Sequence, residues 1–335
     1  MIASLILLLG LLSFPVAGQD IVVDQAGREV ALPPAVERVV CLHSGTSWIV
    51  YALGGGEALV GAYYASLPSL PLAQEALAGL DPGYRGKELP VQPTVEAIVA
   101  LQPDVVLASS VVHGTGLAPL LEEVGIPTVL YYPETLGGIE EAILLTGRVL
   151  GRMERAEELG ARFREISARV TAGTAAREPR PRVYFAAYYT VLNVYAGDVI
   201  QNVLIELAGG IPVGRALSPR PGLFWQRVDA ERLLLWDPEV VLVPVYNQVD
   251  LVALASDPIW QGVTAVRTGR VYRFPEFFAS WDIPGPEVVL GLLWLAETLH
   301  PGSTGLDLVT EVIRFYGDFY GCHLTPDAVA ALFGR

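Results

Sequence analysis

Residues 95–107 read VEAIVALQPDVVL and residues 228–242 read VDAERLLLWDPEVVL, so one local plan occurs twice in the chain. Aligned on Pro103 and Pro238, each copy places a glutamate, Glu96 or Glu231, seven residues upstream. An acid follows each proline, Asp104 or Glu239, and Val-Val-Leu closes both copies. The pattern predicts a short amphipathic helix, a stop at a residue without an amide hydrogen, and a buried parallel strand. A single copy would fit any α/β protein. Two copies with the glutamate at one offset imply two similar lobes.

A chain of 335 residues has room for two such lobes, each with its own core. Its net charge of −14, with Lys87 as the only lysine, argues against nucleic acid or an anionic membrane surface as partner. Met1–Gly18 reads as a cleaved export signal: an apolar run Ile2–Leu12, then Pro15 and the small-residue site Val16-Ala17-Gly18. The run is too short to span a bilayer, and no cysteine at the cleavage site supports a lipid anchor. The expected location is therefore periplasmic or otherwise extracytoplasmic. Cys41 lies in the apolar VVCL segment and Cys322 at the far end of the chain, so free thiols are expected rather than a disulfide.

Hydrophobic periodicity predicts a hairpin over 21–32 turning at Ala26-Gly27, then alternating strands and helices. In the first lobe, strands are expected at 38–42, 59–62, 104–108 and 127–131, with helices at 47–53, 94–101 and 117–124. Gly54-Gly55-Gly56 reads as a helix stop; it lacks the Gly-Lys-Ser/Thr of a phosphate loop. Residues 137–170 predict a helix pair whose second member, 152–172, is long and charged along one face. After proline-rich 177–182, strands at 182–187 and 270–273 flank the second repeat unit. Helices are expected at 198–208, 252–257, 285–298, 306–317 and 325–333. The expected domains are an N-terminal lobe 19–145, a linking helix 146–176 and a C-terminal lobe 177–335.

No catalytic motif stands out: there is no His-Glu-x-x-His, no Cys-x-x-Cys and no Gly-x-Ser-x-Gly elbow. A secreted hydrolase on an α/β scaffold is thus a remote alternative, and an adhesion module would need tandem repeats or an anchor. Ligands of open parallel sheets sit beyond the carboxyl ends of the strands. In the first lobe those positions carry His43, Ser44, Thr46, Tyr63, Tyr64, Ser110 and His113. In the second they carry Tyr188, Tyr189, Tyr246 and Trp281, and Trp225 is a further ligand-binding candidate. Such a set predicts an aromatic, preformed pocket. His43 and His113 are the weak candidates for a metal ligand; His43 could equally cap the helix that follows it.

Taken together, DQAGREVALP at 24–33, ALGGGEALVG at 52–61, PTVEAIVALQPDVVLAS at 93–109, DPIWQGVTAVRTGRVY at 257–272 and WDIPGP at 281–286 give the chain a family resemblance. From about Ile21 to Arg335 it resembles the substrate-binding proteins of iron-complex ABC importers, the helical-backbone class that also serves cobalamin, haem and some molybdate or tungstate systems. The resemblance implies two Rossmann-like α/β lobes with parallel sheets, joined by a single long rigid helix. It implies a monomer without enzymatic activity or intrinsic cofactor that holds its ligand between the lobes. Glu96 and Glu231 match the positions that dock on arginines of the permease dimer. A metal complex (ferric siderophore, haem or cobalamin) is the leading ligand class, and a bare molybdate or tungstate oxyanion is the alternative.

Overall fold

The computed structural model describes residues 20–65 and 67–333. The expected export signal at 1–18 lies outside these residues. Strands β1 (Ile21–Val23) and β2 (Glu29–Ala31) pair antiparallel, with Gly27 at φ 78° making the turn where the hairpin was expected. The first lobe then runs β3 (Val39–Cys41), α1 (Ser44–Ala52), β4 (Leu59–Ala62), α2 (Pro71–Leu80), α3 (Val95–Ala100) and β5 (Val105–Ser109). It ends with α4 (Ser110–His113), α5 (Leu117–Glu123), β6 (Thr128–Tyr131) and α6 (Leu136–Val149). All the contacts of its sheet, ordered β4-β3-β5-β6, are parallel. β5 and β6 are buried along their whole length, as strands covered by helices on both faces must be.

α7 (Met153–Thr174) follows, 22 residues or about 33 Å long. It packs along α6 on one side. On the other it meets two helices of the second lobe, α8 (Ile200–Leu207) and a later one described below. Its apolar stripe of Leu159, Phe163, Ile166 and Val170 is buried, while Arg164 pairs outward with Glu140 of α6. One stiff rod thus shares its apolar face with both lobes.

The second lobe carries β7 (Arg182–Phe185), β8 (Asn193–Tyr195), α8, β9 (Ile211–Pro212), β10 (Trp225–Arg227), α9 (Ala230–Trp236) and β11 (Val240–Val243). It continues through α10 (Leu251–Ser256), α11 (Pro258–Gln261), α12 (Thr264–Arg267), β12 (Val271–Arg273) and α13 (Val288–Leu299). α14 (Leu308–Tyr320) and α15 (Pro326–Phe333) complete it. Its parallel sheet is ordered β9-β7-β11-β12, and β8 with β10 forms a separate antiparallel ribbon. Numbered within each lobe, both parallel sheets have the order second, first, third, fourth. The repeated phrase supplies the third strand in each.

Side-chain chemistry explains why the repeat is so literal. The residue before each proline, Gln102 or Asp237, is left-handed, with φ of 48° and 39°. Arg38, just ahead of β3, donates to the carbonyls of Leu101 and Gln102 at the end of α3. Arg182, opening β7, does the same to Trp236 and Asp237 at the end of α9. Asp104 and Glu239 in turn accept the backbone N–H of Arg38 and Arg182 at 2.8 and 3.0 Å. Each lobe therefore locks its first strand to its third through one arginine and one acid, and the otherwise unpaired helix carbonyls gain donors.

The apolar α13 starts at Val288, three residues later than its pattern suggested. The preceding SWDIPGP segment stays irregular and folds against the first lobe. Phe278 stacks on Trp48 of α1, centroids 5.8 Å apart and 6° from parallel. Gly45 of α1 is a close-approach position: a β-carbon there would overlap the Pro284 carbonyl oxygen. α14 also returns to α1 and to α7, where Arg162 meets Glu311 at 2.6 Å. Cys41 and Cys322 are free thiols, as expected. The arginine clamp gives the first test. Arg38→Ala and Arg182→Ala should each cost about 1 kcal/mol in urea unfolding, the net worth of the capping bonds removed. An unchanged midpoint in both would show that the clamps add nothing.

Candidate functional site

A cavity of about 130 Å³ lies between the lobes. The first lobe supplies the start of α1 (His43, Ser44, Gly45), Tyr63 after β4, Ser109 at the end of β5 and His113 at the end of α4. The second supplies Tyr188 after β7, Tyr195 of β8, Gln201 of α8 and Phe224. Ile283 and Pro284 close one wall, and Glu134 enters from the loop after β6. The walls come from carboxyl ends of parallel strands in both lobes, where such sheets leave a crevice.

His43 performs both roles left open by the sequence. It is the N-cap of α1, with Nδ1 accepting from the Thr46 amide at 3.2 Å, and it also lines the cavity. A ring nitrogen that accepts from an amide carries no proton, so the neutral imidazole is protonated on Nε2 and offers a donor. Burial, with His113 nearby, lowers the His43 pKa to about 4, so the ring is neutral near pH 7. His113 is spent differently. Its Nδ1 accepts from the Ser109 amide at 3.2 Å and its Nε2 faces the Val91 carbonyl at 2.8 Å. Both nitrogens are engaged, which leaves no lone pair for a metal. Among the described residues no group of three or more His, Cys, Asp or Glu could hold a metal ion.

Ser44 is the most telling donor. Its Oγ is buried, lines the cavity and has no hydrogen-bond partner. Buried hydroxyls are rarely left this way unless something else completes them. Beside it are the first amides of the nine-residue α1, which precede the helix's own bonding and carry the positive end of its dipole. Opposite, Tyr188 stacks on Tyr246 at 4.6 Å. Tyr195 hydrogen-bonds Tyr246, which donates to the fully buried Asp282. Asp282 is anchored by Ser280 at 2.5 Å and by the Gln201 amide through its backbone carbonyl at 2.9 Å. Burial raises the pKa of Asp282 and of all three phenols, so Tyr188, Tyr195 and Tyr246 stay protonated.

Of the residues expected from the sequence, His43, Ser44, Tyr63, His113 and Tyr188 meet at this cavity. Thr46 stands one step behind, hydrogen-bonded to His43, and Tyr246 one step behind Tyr195. Ser110 gives way to its neighbour Ser109, because β5 runs one residue further than expected and α4 starts at Ser110. Tyr64 and Trp281 point elsewhere. Tyr64 joins a core chain through Tyr51 to Asp81, itself paired with Lys87. Trp281 is wholly buried, with its Nε1 donating to Tyr316. Tyr189 is 83 % exposed with φ 71°, edge-on to Trp225, and Trp225 lines a separate surface hollow with Arg220 and Arg227. Strand-end alternation decides these outcomes: of two adjacent aromatics, one faces the cleft and the other the core or solvent.

Glu134, Tyr195, Gln201 and Phe224 were missed. Glu134 could have been found, since it follows the predicted strand 127–131 and the rule applied to the other strand ends also covers this one. Tyr195 and Phe224 belong to or adjoin the β8–β10 ribbon, for which the sequence shows no alternation.

The histidine assignment can be checked by nitrogen NMR of the imidazole rings. His43 should stay neutral and protonated at Nε2 down to about pH 4. An ordinary titration near pH 6.5 would overturn this reading of the site.

Comparison with known proteins agrees with this geometry. A family model described as periplasmic binding protein matches residues 39–276. The chain is 26% identical over 352 residues to the molybdate-binding protein MolA of Haemophilus influenzae, covering 96% of this chain and 97% of that protein. The molybdate-bound structure of MolA superposes with a TM-score of 0.78 at 24% identity, over 91% of this chain and 99% of that one. A cobalamin-binding protein of Halobacterium salinarum is 27% identical over 297 residues, 86% of this chain and 75% of its own. A periplasmic solute-binding protein from Veillonella parvula matches with TM-score 0.76 and 25% identity, over 94% and 96% of the two chains. With two parallel-sheet lobes, a long helix between them and a small cavity in the cleft, this chain belongs to the periplasmic binding protein family, the solute-binding components of ABC importers and not enzymes.

Proposed function

We propose that this protein captures a small oxyanion of the molybdate or tungstate kind outside the cytoplasm and delivers it to an ABC importer. The observation that carries the reading is the cavity itself: about 130 Å³, with neutral donors on His43, Ser44 and Tyr63 set into a mainly apolar wall. Sites for drug-sized ligands run from roughly 300 to 1,000 Å³, so haem, cobalamin or a complete siderophore would need the lobes further apart. Ser44 Oγ, the His43 Nε2–H, the amides opening α1 and the Tyr63 phenol offer what a compact anion requires. A near relative over its full length is named for binding molybdate, which supports the same choice.

A metal complex is the second reading. The aromatic walls at Tyr63, Tyr188 and Phe224, and the cobalamin-binding relative, support it. Titration calorimetry separates the two. Molybdate should bind, and Ser44→Ala should weaken it about tenfold, the worth of one charge-assisted hydrogen bond. Binding of a ferric chelate or a corrinoid, with no response to molybdate or tungstate, would decide for the metal complex.

We further propose that Glu96 and Glu231 meet the importer. Both are exposed, and each is the second residue after a capping side chain, Thr94 or Asp229, which accepts from the third amide of α3 or α9. Equivalent acids on two lobes suit arginines of a two-fold partner. A Glu96→Ala/Glu231→Ala double variant should keep its ligand affinity and lose most transport in a complementation assay. Transport at the wild-type rate would sink the docking assignment.

A further inference from the structure

The cavity is lined by one acid, with no lysine or arginine among its lining residues. That acid, Glu134, is 7% exposed and belongs to the first lobe. Its Oε2 nevertheless accepts the backbone N–H of Ile200 at 2.9 Å, the first residue of α8 in the second lobe. The N-cap position of α8 is Val199, whose side chain cannot accept a hydrogen bond. Glu134 therefore caps a helix of the opposite lobe, with the positive end of that helix as its only electrostatic support. Its second oxygen, Oε1, makes no hydrogen bond among the described residues.

An anionic ligand entering this space meets a carboxylate with no arginine or lysine to offset either charge. We propose that Glu134 couples anion capture to uptake of one proton, so that the bound state holds a neutral carboxyl group which bridges the lobes and donates to the ligand. This rests on the oxyanion reading above. The balance is simple: the anion enters unprotonated and one proton from solvent settles on Oε1. That O–H turns toward a ligand oxygen while Oε2 keeps the Ile200 amide, and no covalent bond of the ligand changes. Burial already raises the pKa of Glu134 to about 7, against the amide bond that pulls the other way. A neighbouring anion raises it further.

The imidazoles and phenols around Glu134 are shifted away from this range. His43 at the cap of α1 and His113 at the end of α4 are both lowered by burial. Tyr63, Tyr188 and Tyr195 are raised above their ordinary values. Asp282 behind Tyr246 is also raised by burial, against hydrogen bonds from Ser280, Tyr246 and Gln201 that pull the other way, and Tyr132 at the rim is raised by burial beside Glu134 and Asp198. For Glu134 the sign follows from linkage. Its folded pKa lies above the ordinary 4.5, so its contribution to stability is full below that value and is lost as pH rises through about 7. Anion affinity falls at higher pH, from about 7 upward toward the still higher pKa of the bound state.

The test is calorimetric titration of the whole protein with molybdate between about pH 6 and about pH 8.5, in two buffers of different ionisation enthalpy. The wild type should bind with net proton uptake above about pH 7, its affinity falling toward tenfold per pH unit at the alkaline end. Glu134→Gln, whose amide oxygen can still accept from Ile200, should lose both the slope and the uptake. A slope unchanged in Glu134→Gln, or wild-type binding without proton uptake, would overturn the coupling while leaving the oxyanion reading intact. Failure of the wild type to bind molybdate or tungstate at any pH would overturn that reading and the coupling with it.

Discussion

The structure depends on one seam, where the irregular segment 276–287 of the second lobe lies against α1 of the first. Phe278 stacks on Trp48, and the Pro284 carbonyl rests against Gly45, where no side chain fits. This contact fixes the N-terminus of α1, and α1 sets the position of Ser44 and the tautomer of His43. The cavity is therefore shaped by packing several residues away from it. The same seam resists wide separation of the lobes, since opening would unstack buried aromatics and expose their surface to water.

On the oxyanion reading, the site meets a charged ligand without carrying an opposite charge. The chain is acidic overall, and its single lysine is consumed in the core pair with Asp81. What remains for an anion is directional: a helix terminus, a hydroxyl with no partner among the described residues, an imidazole whose proton is placed by its own cap, and the Tyr63 phenol. In a small buried space such fixed dipoles are strong, because water cannot screen them. Glu134 is the exception that gives the site a dependence on pH.

Much of the fold was legible because it rests on periodicity and punctuation. The two repeat units, the hairpin at Gly27, the glycine stop after α1 and the long α7 all arise from local rules. The repeat also held more than its apolar pattern suggested, since the acids after Pro103 and Pro238 prove to clamp the first strand of each lobe. The site was legible only to the level of strand ends. Tyr63 and Tyr64, or Tyr188 and Tyr189, cannot be told apart by sequence, because which neighbour faces the cleft depends on backbone twist at the strand terminus. Tyr195 and Gln201 come from elements whose placement is tertiary. Glu134 looks like a surface acid until the opposite lobe covers it.

Although two sheets give the molecule two lobes, its main apolar core is single. Buried residues of β3 and β5 in the first lobe, of α7, of β7 and β11 in the second, and of α13 and α14 belong to one continuous cluster. Removing either sheet would strip cover from α7 and from the segment that seats on α1. A core shared in this way couples the lobes energetically, although each sheet also has an apolar cluster of its own, and a destabilising change near α7 is expected to be felt in both.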